Sequence, residues 1–495
     1  MAFIDGTALS VALPSLQADL DATGPNLLWV TNGFSLPLAA LLLFGGALGD
    51  HYGRRRIFIT GIALFIGASM ACGLAPDVSL LIATRVVQGV GAALMIPGSL
   101  AMISSYFGAA ERGRAIGLWS AFSVLATTLG PVVGGILAGA NLWRGVFFIN
   151  VPLAILALTL LVWKVPADKA PEKDHALDWR GAIAVTLGLA AFNFGLIRWS
   201  EHPLSEIGVW GMLVAGVFGL GLFLAIQITS RQPLLPLGIF RHRVLASASV
   251  VSFLYYVAFH GTLFFLPLNL IQVQGYPPAM AGVTQVPIMV LLVSLSALAG
   301  KWVDKKGPRW PLTLGAAVTG GGFWLLALPG VTEGPAAFWS SYFPGILVIG
   351  LGLALTATPV SATLMTSVAS QHLGLASGIN SSLTRLAGVL AVAALGPLML
   401  TLFGGGLLGR VAELPVTMPA AAVEQLAHEA SKLGATPVPE GLDENGAEAV
   451  RGAIRWAFVD AFRWIVGIAG ALCWMAAGVA ALGLGKEKVS ARRAI

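Results

Sequence analysis

Ionisable side chains are scarce in the apolar stretches of this sequence, and the few found there are the ones able to do chemistry. Asp5 opens FIDGTALSVALPSL (3–16), Arg85 sits in TRVVQGVGAALMIPGS (84–99), His260 in YYVAFHGTLFFLPLNL (255–270) and Arg385 in GLASGINSSLTRLAG (374–388). An acid inside a membrane-spanning run is costly unless it is protonated or paired, so Asp5 is a candidate for loading and releasing a proton. A buried arginine needs a counter-charge or carbonyl partners, which makes Arg85, with Gln88 one turn on, a second functional candidate. The competing readings place Asp5 in water at the chain start and let Arg85 snorkel to an interface. His260 is either a second protonatable group or a hydrogen-bonded packing histidine. Asp460 and Arg463, three residues apart, are expected to pair with each other.

A second set of charges lies between apolar runs. GALGDHYGRRR (46–56) supplies Gly46, Asp50, Gly53, Arg54 and Arg55, and AGKWVDKKGPR (299–309) supplies Asp304, Gly307 and Arg309. Asp50 and Asp304 are 254 residues apart, and GLWSAF (117–122) and GLASGI (374–379) are 257 apart, so the chain contains two related halves. A carboxylate at a helix end beside an arginine cluster can form a latch that breaks readily at a wet surface, as a gate requires. The plainer reading makes the arginines cytoplasmic anchors, but anchoring has no use for Asp50 or Gly53. TTLGPVVGG (127–135) places Gly130, Pro131, Gly134 and Gly135 in one run, where glycine allows close helix approach and proline bends the helix.

The elements that carry these residues must be membrane helices. Of 495 residues, 57% are apolar and 11% charged, against about a quarter charged in a soluble domain. Thirteen runs between residues 26 and 484 are long enough to cross about 30 Å of hydrocarbon, and a shorter start covers 1–16, which predicts fourteen helices. With the N-terminus inside, the cytoplasmic loops and tail hold 20 Lys and Arg and the external loops 5, so both termini are expected in the cytoplasm. The lipid bilayer is therefore a partner, and the net charge of +6, spread over short loops, is no nucleic-acid footprint. Segment 404–453 is acidic and external in this topology, with a short amphipathic surface helix predicted near 419–433. Only four residues precede Asp5, so a full first span is expected to need about ten more upstream. Cys72 and Cys473 lie inside apolar runs and read as buried thiols, with no metal pair.

These motifs together resemble the fourteen-helix drug:proton antiporter branch of the major facilitator superfamily. The 46–56 loop is similar to the family's G-x-L-x-D-R-x-G-R-R, with His51 at its first basic position; TTLGPVVGG resembles the antiporter-associated G-P-x-x-G-G, with Ala126 where a longer form has glycine. Residues 3–16 resemble the first-helix L-D-x-T-x-x-N-x-A-L-P, with Ser10 for asparagine, and 85–93 the R-x-x-Q-G-x-G-A-A pattern. Weaker matches are Trp29, Asn32 and Phe34 in the second run, FFINVPL (147–153), and a basic position at Arg385. The resemblance implies an all-α polytopic membrane protein of two six-helix bundles, 1–163 and 231–495, with two inserted helices in 164–230.

It further implies that Asp5 and Arg85 couple protons, that the two loops gate the cytoplasmic side, and that Trp29, Asn32, Phe34, Gln88, Tyr256, His260, Asn380 and Arg385 face a substrate cavity. The expected function is proton-coupled antiport of small amphipathic molecules out of the cell by alternating access, by a monomer of the cell membrane without cofactors. Export of one endogenous metabolite, lipid or siderophore by the same route stays open. A channel or membrane enzyme is the distant alternative, because no H-E-x-x-H, phosphate loop or selectivity filter occurs. Nor is there a nucleotide-hydrolysing motif, so an ion gradient must supply the energy.

Overall fold

The computed structural model describes residues 1–107, 109–166, 177–200, 202, 206–230, 232–367, 373–414 and 418–484. The cytoplasmic charges expected in 167–176 and 485–495 fall outside the described residues, as do the side chains of 374–377. Among those described, the chain is all-helical. In order run α1 (Ala2–Leu20), α2 (Gly24–Tyr52), α3 (Arg54–Gly73), α4 (Val78–Tyr106), α5 (Ala109–Gly139), α6 (Gly145–Phe148), α7 (Asn150–Lys164), α8 (Trp179–Arg198) and α9 (Ile207–Thr229). The second half follows with α10 (Arg243–Leu268), α11 (Pro278–Val283), α12 (Val286–Lys306), α13 (Arg309–Ala327), α14 (Phe343–Thr366), α15 (Leu373–Ala412), α16 (Ala420–Glu429) and α17 (Glu444–Gly483).

Local chemistry sets the breaks. Thr23 and Asn26 form a reciprocal capping box at the start of α2, with Pro25 in its first turn. Asp77, Asp178 and Asp443 cap α4, α8 and α17 through backbone N–H groups of Leu80, Gly181 and Gly446. A single residue, Gly53, separates α2 from α3, and its φ of 104° is open only to glycine without strain. Gly307 ends α12 in the same way at φ 79°, at the separation that relates Asp50 to Asp304.

Twelve helices or helix pairs among the described residues are long and apolar enough to cross a membrane. Fourteen were expected; α1 and α13, each of 19 residues, fall outside that set. In α13 the reason is visible: Gly315 and Gly322 lie against the backbones of Leu355 and Ile349 on α14, so close packing has taken positions that a lipid-facing helix would fill with leucine. The two inserted helices pair through glycines too, Gly188 meeting Gly219. α8 packs on α2 and α15, one from each half, with α9 outside it.

The segment expected as an external loop, 404–453, is shorter than its hydropathy suggests. α15 runs on to Ala412 and α17 begins at Glu444, because amphipathic turns outside an apolar run still make helix. Between them α16 and a 3₁₀ turn at 430–435 cap one end of the bundle, with Leu426 fully buried. The cap is tied to the α1–α2 turn. Lys432 pairs with Asp21 at 2.6 Å and with Glu429 at 2.9 Å, and Gln17 donates to the Lys432 carbonyl at 3.1 Å.

Hydrogen bonds to Asp21 and then Glu429 hold the Lys432 ammonium above its ordinary 10.5. A raised folded value means that the stabilisation is complete below pH 10.5 and is lost as pH rises through the elevated value. The gap in thermal midpoint between parent and Lys432→Met is thus expected to narrow as pH rises above 10.5. A gap that widens in alkali would contradict the pairing.

Candidate functional site

Five helices converge on Asp5. Its carboxylate accepts from Arg85 Nη1 at 2.5 Å and from Gln88 Nε2 at 3.0 Å, both on α4, and from Asn150 Nδ2 on α7 at 3.3 Å. Ser69 on α3 accepts from Gln88 at 3.2 Å and Asn150 at 3.1 Å, and donates to the Phe147 carbonyl at 2.9 Å. Arg85 also donates to Gln88 Oε1 at 2.8 Å and to the Val30 carbonyl on α2 at 3.2 Å, while its guanidinium lies 4.4 Å over the Phe34 ring. Asp5 is 0% and Arg85 1% exposed, so the acid sits in the packed interior and the arginine turns inward to it.

This is a buried ion pair in which the Arg85 Nε and Nη1 and the Gln88 and Asn150 amides all donate. Such a pair is near neutral in net stability but expensive to break by halves. A proton arriving on Asp5 would cost the ionic contact to Arg85, so exchange of that proton needs the site to rearrange or admit water. Among the described residues Asp5 is the one fully buried acid, and no group of three His, Cys, Asp or Glu could hold a metal.

A second group gathers across the halves. Tyr256 and His260 on α10 stack at 5.9 Å, and a methyl on Gly388 of α15 would lie 3.3 Å from the His260 ring. One turn before Gly388, Arg385 lies over the Phe3 ring of α1 at 5.9 Å, and Phe3 meets Trp119 of α5 edge-on at 6.5 Å. Asn380 donates to Ser361 on α14 at 3.1 Å. Phe3, Trp119, Tyr256, His260, Asn380 and Arg385 are all half-buried where the two halves meet, so none is sealed in a packed core.

Other expected cavity residues lie elsewhere. Phe34 and Gln88 belong to the Asp5 cluster; Trp29 packs on Phe194 of α8 at 5.6 Å, and Asn32 is fully buried without a side-chain partner.

α5 is wedged between two helices. A side chain at Gly130 or Gly134 would collide with Thr7 and Ala8 of α1, and one at Gly135 with Pro278 of α11. The contact is reciprocal, since a methyl on Gly282 of α11 would strike the Pro131 carbonyl. α1 belongs to the first half and α11 to the second, so this seam joins the halves at the end that the 420–435 cap covers. At the opposite end Asp50 pairs with Arg54 of its own loop at 2.8 Å, Arg54 reaches the Ala101 carbonyl at 3.4 Å, and Arg55 the Val162 carbonyl at 3.3 Å. In the second loop Asp304 is exposed and Arg309 lies 5.8 Å from the Trp310 ring. The acid of the first loop thus points within its own half, not across to the other.

Residues 1–392 match the Major Facilitator Superfamily. The chain belongs to that superfamily. It is 30% identical over 487 residues to the tetracenomycin C resistance and export protein of Streptomyces glaucescens, covering 97% of this chain and 88% of that one. It is 32% identical over 427 residues to a puromycin resistance protein of Streptomyces alboniger, covering 86% and 83%. Among solved structures it is similar to a peptide transporter of the POT family, at a TM-score of 0.60, 14% identity and coverage of 97% and 93%. A bacterial homologue of the lysosomal transporter Spinster, in an inward-facing conformation, superposes with a TM-score of 0.56 at 19% identity, covering 96% and 94%.

In this superfamily member two polar residues complete the Asp5 cluster that sequence reasoning did not assign to it. Asn150 carried a signal, as the single amide in FFINVPL. Ser69 carried none, being one hydroxyl in an apolar run.

Proposed function

We propose that the chain is a proton-coupled antiporter that exports small amphipathic molecules across the cell membrane by alternating access. The observation that carries the reading is the buried Asp5–Arg85 pair, an ionic couple in a membrane interior with no structural need for charge. The resistance and export named for its relatives supports the direction of transport. Each charge moved across 100 mV is worth about 2.3 kcal/mol, so one proton is a useful and limited drive.

In this reading α1 and α13 are the remaining two of fourteen spans, since 19 residues rise about 28 Å. Residues 1–163 and 231–495 rock about the space bordered by Arg385 and Phe3, and 164–230 supplies α8 and α9 at their side. The 20-to-5 distribution of Lys and Arg supports an orientation with both termini in the cytoplasm. The α5–α11 seam then closes the external end, while the loops of Asp50 and Asp304 form the cytoplasmic gate. The protein works as a monomer, with protons and a small molecule as its ligands.

The test is accumulation of a panel of amphipathic dyes and antibiotics in a host lacking its own pumps. Expression is expected to lower accumulation of at least one compound, and a protonophore to restore it. Accumulation unaffected by expression, or efflux that survives collapse of the gradient, would refute the proposal.

A further inference from the structure

The charges bordering the space between the halves do not balance. Asp5 and Arg85 neutralise each other at 2.5 Å, and both are withdrawn from that space. Arg385 faces it with no carboxylate partner among the described residues; its neighbours are the Phe3 ring at 5.9 Å and the His260 imidazole. Asp460, an acid of α17, is already held by Arg410 at 2.5 Å and Arg463 at 3.2 Å. A half-buried guanidinium with free donors, low-dielectric walls and aromatic faces on both sides is complementary to a planar anion. It offers a fork to a carboxylate, sulfonate or phenolate, and the rings offer faces to the scaffold that carries it. The same charge repels a cation, and no carboxylate among the described residues of these helix faces offsets it.

Asn380 adds a directed acceptor. Its Oδ1 is buried and unpartnered while its Nδ2 is spent on Ser361, so one hydrogen-bond acceptor is left over on α15, five residues before Arg385, for a hydroxyl or amide of a ligand. The site therefore combines one cation, one acceptor and an aromatic enclosure made by Phe3 and Trp119 from one half and Tyr256 and His260 from the other.

We propose that Arg385, Asn380, Tyr256 and His260, with Phe3 and Trp119 opposite, form a recognition site for acidic aromatic compounds, and that the chain selects anionic over cationic cargo. The selection of cargo for export rests on the function proposed above; the binding preference does not.

The experiment uses the purified full chain in nanodiscs and three radiolabelled probes on one scaffold: 1-naphthoate, 1-naphthamide and 1-naphthylmethylammonium. Naphthoate is expected to bind at least tenfold tighter than the amide, and the ammonium weaker than either. Arg385→Gln is expected to lose at least tenfold in naphthoate affinity with amide binding within about twofold, while Arg385→Lys keeps the order with a smaller margin. Tyr256→Glu, which leaves Arg385 in place and gives it a carboxylate, should abolish the preference as well, and it decides the matter where Arg385→Gln yields no folded protein.

An ammonium that binds as well as naphthoate, an order unchanged in both neutralising variants, or no binding of any probe would overturn the proposal. Ordered binding without gradient-driven efflux of naphthoate would keep the site and sink the export reading. Gradient-driven efflux of the ammonium, unchanged in Arg385→Gln, would do the reverse.

Discussion

Replacing Asp5 with alanine is expected to destabilise the folded chain by about 3–5 kcal/mol, the cost of leaving a buried charge without its partner. The charge is Arg85, 1% exposed and packed between the Phe34 ring and the carbonyl of Val30. With the carboxylate gone its remaining acceptors are Gln88 Oε1 and one backbone carbonyl, both neutral. Arg85→Met alone should cost less, because Asp5 can discard its charge by taking a proton, whereas a guanidinium cannot give one up. The double variant Asp5→Ala, Arg85→Met removes both charges and should recover most of the stability, since a buried pair replaced by apolar groups is often neutral. Thermal unfolding in detergent, followed by tryptophan fluorescence, reads all three. Effects that add, with the double variant as unstable as the two singles combined, would mean that the 2.5 Å contact is not the source of the coupling.

The second large effect is expected at the α5–α11 seam. Gly135→Leu puts a side chain where the backbone of Pro278 and Ala279 already lies, with Ala279 Cα 2.9 Å from a methyl at that position. The seam cannot close around it, and overpacking of this kind costs about 1–3 kcal/mol. Here the cost falls only on conformations in which the seam is shut, so it shifts the population roughly 5- to 150-fold toward the open end. Transport should drop by at least about tenfold while the fold persists, because each half keeps its own core. Spin labels at Leu142 and Leu328, exposed residues at that end on the two halves, would report a longer distance. Gly139→Leu is the control, as nothing lies within 4 Å of a methyl there. An unchanged distance in Gly135→Leu, or an equal change in Gly139→Leu, would contradict the seam as a closure.

How much of this could be read from residues alone follows the range of the interactions. Apolar length is local, so the helices were legible, and so were the positions where a charge or glycine breaks the pattern. What was not legible is who meets whom. Asp5 and Arg85, 80 positions apart, were linked only through the family resemblance, and Ser69 looked like any hydroxyl in a membrane run until Gln88 and Asn150 met on it. Phe34 was expected in the cavity on a motif match along α2, which does not say which way a side chain points, and Phe34 lies under Arg85.

Lengths misled where hydropathy is a poor proxy for helix. α17 begins about ten residues before its apolar run in polar turns, held by the Asp443 cap and by Glu448–Arg451 at i, i+3. The Asp21–Lys432 tie, 411 positions apart, had no sequence signal at all.

The central claim is that Asp5 carries the proton exchanged for substrate. The most direct measurement is uphill transport in proteoliposomes under an imposed proton gradient, with parent and Asp5→Asn compared on one compound from the accumulation panel. Asparagine keeps the size and a carbonyl acceptor for Arg85 but cannot cycle a proton. The variant should therefore lose gradient-driven accumulation while still exchanging labelled for unlabelled compound across the membrane. Accumulation against a concentration gradient that persists in Asp5→Asn, at a rate near that of the parent, would contradict the account.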